Sequence, residues 1–295
     1  MKLNNLYLWI RQKPRIAFLM CLPLILMVAC LIIYPFFYSI FLATLNKAET
    51  KFVGIDNFLF LFKRETFWLV VQQSIIFALV AVLFKALIGF VAAHSINELP
   101  SKGQRKWRGM LLIPWVIPPA LSTLGWWWLF EPTYSALNWI LDKLSIDAIP
   151  WLSETFWARF SIILVNIWVG APFFLIMYLA ALKSIPEDLY EASAIDGANY
   201  WQKLFYITLP MMKNIISITI LFSIIVTFAN FDIVRVLTRG GPIDTTHLFA
   251  TYAFRVGIES GDIPLGAAVS LFMFPVLAVL SFIILRNVRK RANEV

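Results

Sequence analysis

The chain's 295 residues would suffice for two soluble domains, but 60% of them are hydrophobic and only 14% charged, whereas soluble chains are about half apolar and about a quarter charged. That composition, with a mean hydropathy of +0.78, excludes a soluble globular fold and reads as a polytopic membrane protein. A net charge of +8 invites a nucleic-acid reading, but phosphate recognition needs soluble surface that this chain lacks, so no nucleic acid is expected and the cations are read as topology signals.

Six apolar runs are each long enough to cross a hydrocarbon core of about 30 Å: 16–43, 67–93, 110–130, 156–182, 215–237 and 265–285. The first is too long for a signal peptide and has no small-residue cleavage site behind it, so an uncleaved span is expected. Cys21 and Cys30 lie within it and read as small packing residues, not a disulfide or metal pair. Lys85 in the second run stands nine residues before His94, close enough for its stem to reach the cytoplasmic interface. Trp126, Trp127 and Trp128 close the third run and read as an interfacial belt, as do Trp107, Trp139, Trp151 and Trp157. In the fifth run Asp232 and Arg235 are three apart and can pair on a helix surface.

Fifteen of the 25 Lys and Arg lie in the two tails and in the second and fourth loops, against seven in the first, third and fifth loops. By the positive-inside rule both termini are cytoplasmic. The expected fold is therefore all-α, with six transmembrane helices in a single membrane domain over residues 1–295.

The longest cytoplasmic connection, 183–214, is too short for a core of its own. Ser184-Ile185-Pro186-Glu187 has the form of a capping box with Pro in the first turn. A short helix is predicted from there, with Leu189, Ala192 and Ala194 or Ile195 on one face and Glu187, Asp188, Glu191 and Asp196 on the others. Gly197 is a natural stop. A second short helix from about Asn199 brings Trp201, Leu204, Phe205 and Ile207 forward until Pro210 interrupts it. Amphipathicity alone would permit a plain interfacial connector.

The residue pattern is more specific. Glu191-Ala192-Ser193, three residues, Gly197, nine residues, Ile207, one residue and Leu209-Pro210 resemble the EAA loop of permease subunits of binding-protein-dependent ABC importers. The resemblance extends along nearly the whole chain to the maltose-type carbohydrate branch, in Phe52-Val53-Gly54-Ile55-Asp56-Asn57-Phe58, in Pro114-Trp115 with Pro118-Pro119, in Asn138 after Tyr134, and in Leu237-Thr238 with Gly240-Gly241-Pro242. Two positions depart from it: Ser193 replaces the usual second Ala, and Asn214 stands where a further Pro is common. The resemblance implies an EAA loop at 183–212 that docks on a separate ATPase through Glu191, Ala192, Ser193, Asp196, Gly197, Ala198, Leu209 and Pro210. It also implies a second related permease, two ATPase subunits and an extracytoplasmic solute-binding protein as partners, alongside membrane lipids, in the inner membrane of a prokaryote.

ATP and Mg are then expected only on the ATPase. In agreement, the chain's Lys183-Ser184 pair follows Ala180-Ala181-Leu182 and not a glycine-rich loop, so it forms no phosphate cradle. His94 and His247, the only histidines, lie at opposite ends of the topology with no partner motif, so neither catalysis nor a metal site is expected. No filter-like sequence suggests a channel.

Polar residues within the spans suggest where a solute passes. Thr219, Ser223, Thr227 and Asn230 step by four, four and three on one helix face, and Asn166, Gly170, Phe173 and Met177 by four, three and four on another. Counted from the outer ends, Asn166 and Asn230 fall roughly 15 Å and 12 Å deep at 1.5 Å per residue. The hydroxyls read chiefly as helix packing, whereas the two amides read as lining a cavity. Asn166, Asn230, Phe173 and, on a different face, Trp168 offer the planar amides and aromatic faces that carbohydrate recognition uses. In the resembled branch the positions of Asn166, Gly170, Phe173 and Asn230 lie at the sugar site. A sugar or oligosaccharide is the expected solute, and the alternative is a phosphorylated, anionic or amino-bearing one, for which the embedded Lys85, Arg159 and Arg235 would matter.

Overall fold

The computed structural model describes residues 14–131 and 135–292; Tyr134 and the tail cations Lys2, Arg11 and Lys13 lie outside them. The regular elements among these residues are helical, apart from one isolated bridge between Leu45 and Phe52. Five helices are long and apolar enough to cross a membrane: Met20–Ala43, Glu65–Asn97, Thr155–Lys183, Tyr200–Leu237 and Ile263–Arg286.

The first consists of α1 (Pro14–Val28), a π-helical turn (Ala29–Ile33) and α2 (Tyr34–Ala43). It stands away from the bundle over most of its length, so Cys21 and Cys30 are exposed and have no packing role within this chain, contrary to the reading above. Chain direction after it is set by Asn57, at the start of α3 (Asp56–Phe62). Its Nδ2 donates to the carbonyls of Ala43 and Leu45 at 2.8 and 2.7 Å, closing a loop that turns at Gly54 with φ +60.

α4 (Glu65–Asn97) is unbroken, but the run expected as the third span is not. It divides into α5 (Ser101–Leu111), α6 (Ile113–Val116) and α7 (Pro119–Phe130). Ile117 and Pro118 take extended ψ values of 132 and 129, because a residue before proline is driven out of the helical region and proline supplies no amide to bridge the gap. Hydrophobicity located this segment, while Pro118-Pro119 decided that it is two pieces and not a continuous rod.

A short α8 (Ala136–Lys143) follows, held by Asn138, whose Nδ2 donates to the Ile149 carbonyl at 3.1 Å while its Oδ1 accepts from Trp151 Nε1 at 2.9 Å. Trp151 is therefore a packing residue at this turn, tilted against Phe130 and Phe160 and edge to face with Trp157, and not a simple interfacial anchor.

α9 (Thr155–Lys183) lies along α4, and this pair is the centre of the molecule. One core cluster joins Val82, Ala93, Phe174, Leu175, Tyr178 and Met212; another joins Phe77, Phe130, Ile162, Val165 and Val234. The helices approach closely at Gly89, where an added Cβ would overlap the Cβ of Phe174 and meet the Leu175 amide at 3.0 Å.

Beyond α9, the connection to the next span contains α10 (Glu187–Ile195) and α11 (Tyr200–Lys203). A π turn at Leu204–Thr208 then leads without interruption into α12 (Leu209–Phe228). Pro210 does not interrupt the chain as expected: it directly follows the π turn, in which the Leu209 amide bonds to the Leu204 carbonyl, and this local widening of the helix accommodates a residue that has no amide to donate. α12 ends before Asn230, and α13 (Asp232–Leu237) follows the gap. The loop that follows contains α14 (Phe249–Phe254) with a π turn at Arg255–Glu259, and α15 (Ile263–Leu271) and α16 (Met273–Ala292) complete the bundle.

Replacing Gly89 by Val should lower the thermal stability of the purified protein by about 1–3 kcal/mol, since the new atoms meet backbone and a buried ring. Gly109→Ala, where nothing lies within 4 Å of an added Cβ, is the matched control. Equal unfolding midpoints for the two variants would mean that the α4–α9 contact yields freely and does not set the bundle.

Candidate functional site

α4, α9, α12 and the broken segment enclose a cavity of about 190 Å³. Its wall contains Asn166, Gly170 and Phe173 from α9, Ser223 and Thr227 from α12, and Asn230 just past the end of α12. Four of the five residues assigned to the solute path thus meet in one place. Asn230 belongs there because the helix has ended, so its depth cannot be counted along a continuous α-helix as the sequence reading did.

Trp168 is the exception. Its ring meets Trp126 edge to face at 5.6 Å and lines a separate apolar groove with Pro114 and Met110. Two residues from Asn166 it points to another side of the helix, and its place in the cavity is taken by Trp115 and Phe222, which flank Phe173 with centroids at 6.2 and 5.1 Å.

The amide oxygens of Asn166 and Asn230 are buried and have no hydrogen-bond partner within the chain. Buried carbonyl oxygens are rarely left so, since each forfeits solvation worth about 1–3 kcal/mol. Each retains its capacity to accept a hydrogen bond once its side chain turns toward the cavity that both residues line. The hydroxyl stripe divides: Thr219 returns its bond to the Ile215 carbonyl at 2.7 Å within its own helix, while Thr227 accepts from Lys85 Nζ at 3.0 Å.

Lys85 is the residue that sequence reasoning misplaced. It is 4% exposed and does not reach the interface; its stem crosses Gly170, where an added Cβ would meet Cε at 2.5 Å and Nζ at 3.0 Å. Its position one turn before Gly89, on the α4 face that meets α9, was the available signal. The other two embedded cations lie elsewhere. Arg159 Nε donates to the Thr245 carbonyl at 3.1 Å, and Arg235 pairs with Glu259 at 2.5 Å and lies over the Phe254 ring in place of the expected pairing with Asp232.

At the other end, the expected capping box at Ser184 does not form, because Ser184 Oγ donates to the Ala181 carbonyl at 2.7 Å and closes α9. The box in this loop is Asn199 with Gln202. Gly197 has φ +76, the left-handed turn anticipated for it. The apolar face of α10 is open: Leu189 and Ile195 are exposed, and Glu191, Ala192 and Asp196 with them. Tyr190 ties α10 to the bundle through a 2.8 Å bond with Thr208 Oγ1, and Ser193 Oγ donates to the Tyr190 carbonyl.

A match to the family of binding-protein-dependent transport system inner membrane components spans residues 85–294. The chain belongs to that family. It is a membrane-embedded permease component, not an enzyme, and it works with a solute-binding protein. It is 34% identical over 277 residues to the trehalose/maltose transport system permease protein MalF of Thermococcus litoralis, covering 92% of each chain. It is 31% identical to the sulfoquinovosyl glycerol transport system permease protein SmoG of Agrobacterium fabrum, covering 96% of this chain and 94% of that one. A chain from the crystal structure of a bacterial ABC transporter involved in import of the acidic polysaccharide alginate shares the fold, with a TM-score of 0.82, 25% identity, and coverage of 96% of the permease and 99% of that chain.

In the permease the segment Leu237 to Pro242 is structural. The ring of His247 fills the space a side chain at Gly240 would need, and Gly240 has φ +91. His247 Nδ1 contacts Thr251 Oγ1 at 3.1 Å, and the Asp244–Arg255 ion pair lies beside Nε2. Burial holds the imidazole down at about 4, with Glu259 pulling it up and Arg235 pushing it further down. An unfolded histidine takes its proton near pH 6.5, so between about 6.5 and 4 the opened loop binds a proton that the closed loop does not. Loop stability is therefore full above that window and falls as pH drops through it. Amides 244–252 should exchange faster at pH 5 than at pH 7 after correction for intrinsic rates, and His247→Gln should remove the difference; equal protection of the native loop at both values would contradict this.

Proposed function

We propose that the permease forms half of the translocation path of an ATP-driven ABC importer for a sugar or oligosaccharide. The observation that carries the reading is that Asn166 and Asn230, whose amide oxygens have no partner within the chain, line one cavity with the ring of Phe173. Such acceptors suit sugar hydroxyls, and an aromatic ring suits the apolar face of a pyranose. The solutes named for the relatives, trehalose or maltose, sulfoquinovosyl glycerol and alginate, are consistent with this class. Gly170 serves the site by admitting the Lys85 stem, and Trp168 supports it from outside through Trp126.

In this reading the whole of 1–295 is one membrane domain in the plasma membrane of a prokaryote, with both termini cytoplasmic. The sixth crossing is made by the broken segment α6–α7, and a second, related permease completes the path. Two ATPase subunits hold ATP and Mg, and this chain holds neither. The EAA loop 183–212 couples them: exposed α10, with Glu191, Ala192, Ser193 and Asp196, seats in the ATPase, Gly197 and Ala198 make the turn, and Leu209-Pro210 carries displacement into α12.

Alanine at Asn166 or Asn230 should leave a ligand hydroxyl unpaired in a site with little water, costing about 1–3 kcal/mol, or roughly five- to a hundred-fold in apparent transport affinity. Capture of solute by the separate binding protein should be unaffected. Uptake unchanged in both variants would place the solute path elsewhere.

Glu191→Lys should assemble in the membrane yet lose uptake and solute-stimulated ATP hydrolysis, because a cation would replace the carboxylate expected to meet a basic partner. Wild-type transport by this variant would remove the coupling role from α10.

A further inference from the structure

We propose that Lys85 is the counter-ion of the solute site, and that the solute is an acidic sugar whose carboxylate, sulfonate or phosphate group docks on the Lys85 ammonium while its hydroxyls bond Asn166 and Asn230. This rests on the sugar reading of the cavity and narrows it.

The geometry supports it from three directions. The Lys85 side chain is fixed: Gly170 leaves the space its stem occupies, and Thr227 Oγ1 accepts one hydrogen bond from Nζ at 3.0 Å. An ammonium has three donors, and the cavity gives this one a single partner. Nor has it a countercharge. Among the described residues the ion pairs are His94–Glu98, Arg235–Glu259, His247–Asp244 and Arg255–Asp244, and no Asp or Glu lines the cavity.

The requirements of the cavity are thus complementary in kind. It lacks an anionic acceptor at Lys85 and donors at Asn166 Oδ1 and Asn230 Oδ1. Burying an ammonium without a countercharge is costly, and removing that cost is what an arriving anion would supply. A neutral sugar meets the amides and leaves the cation unpaired; a simple inorganic anion meets the cation and leaves the amides empty. An acidic sugar meets both, with Phe173, Trp115 and Phe222 offering aromatic faces to its ring. An amino-bearing solute is disfavoured, since it would bring a second cation to Lys85.

The test uses the assembled membrane complex, permeases with ATPases, in lipid nanodiscs without the binding protein. Apparent affinities for glucose, glucuronate and glucose 6-phosphate, which share a ring and differ at one position, are read from the concentration dependence of thermal stabilisation. At least one charged probe should bind about tenfold or more tightly than glucose. Lys85→Gln should bring the charged-to-neutral ratio close to one while glucose binding persists, and Lys85→Arg should keep a preference for the charged probes. Gly170→Ala, which displaces the stem while leaving the charge, should lower the ratio even where Lys85→Gln proves unstable. Asn166→Ala should weaken all three probes alike.

Equal binding of charged and neutral probes to the wild-type complex overturns the proposal but leaves the sugar site standing if Asn166→Ala still weakens them. A preference that survives Lys85→Gln overturns it by locating the charge reader elsewhere. Dissociation of the complex in Lys85→Gln, reversed by Lys85→Arg and indifferent to the probes, would mean that Lys85 pairs with a carboxylate of the second permease. Absence of binding by all three probes defeats the sugar reading together with this one.

Discussion

Everything in the permease's interior is referred to the seam between α4 and α9, where two glycines let the helices close on each other in parallel register. Gly89 of α4 faces Phe174, and Gly170 of α9 faces Lys85, so each helix offers a gap one turn away from the side chain it presents to the other. Interiors packed at crystalline density leave no slack for an added carbon at such points. The consequence is chemical as well as mechanical. The closeness that excludes lipid from the seam also commits a lysine stem to the cavity, with Asn166 one turn above Gly170 on the same helix face.

The opposite wall is built on a different constraint. α12 must stop for Asn230 to turn inward, and it stops at Phe228 with three non-helical residues before α13 begins. At its other end α12 runs back through a π turn into α11, so the end of the loop 183–212 and the face with Ser223 and Thr227 belong to one rod. α10 is attached to that rod chiefly by Tyr190 and Thr208 and otherwise leaves its apolar side chains, Leu189 and Ile195, open. An exposed helix anchored to the rod in this way suits docking on another subunit better than sealing a loop.

The loop between α13 and α15 shows how charges are used when they do not line the cavity. Arg159, Arg235 and Arg255 are each spent on loop five, through the Thr245 carbonyl, Glu259 and Asp244 respectively. Of the embedded cations only Lys85 lines the cavity, and this sets it apart from the three-cation cluster that the sequence alone left open.

Much was legible in the sequence because bilayers impose one-dimensional rules. Apolar length located the segments, the spacing Glu191 to Gly197 to Pro210 pointed to the family to which the chain belongs, and helical periodicity put Asn166, Gly170 and Phe173 on one face. The rules failed where an outcome depended on a partner distant in sequence. Ser184 could cap forward or close the helix behind it, and it closed α9. Trp168 found Trp126; Asp232 lost Arg235 to Glu259. Lys85 could snorkel to water or turn inward, and Gly170, 85 positions later, decided it. A sequence states which groups are costly to leave unsatisfied in an apolar medium, but satisfaction is a matter of distance between helices, and only the packed bundle fixes those distances.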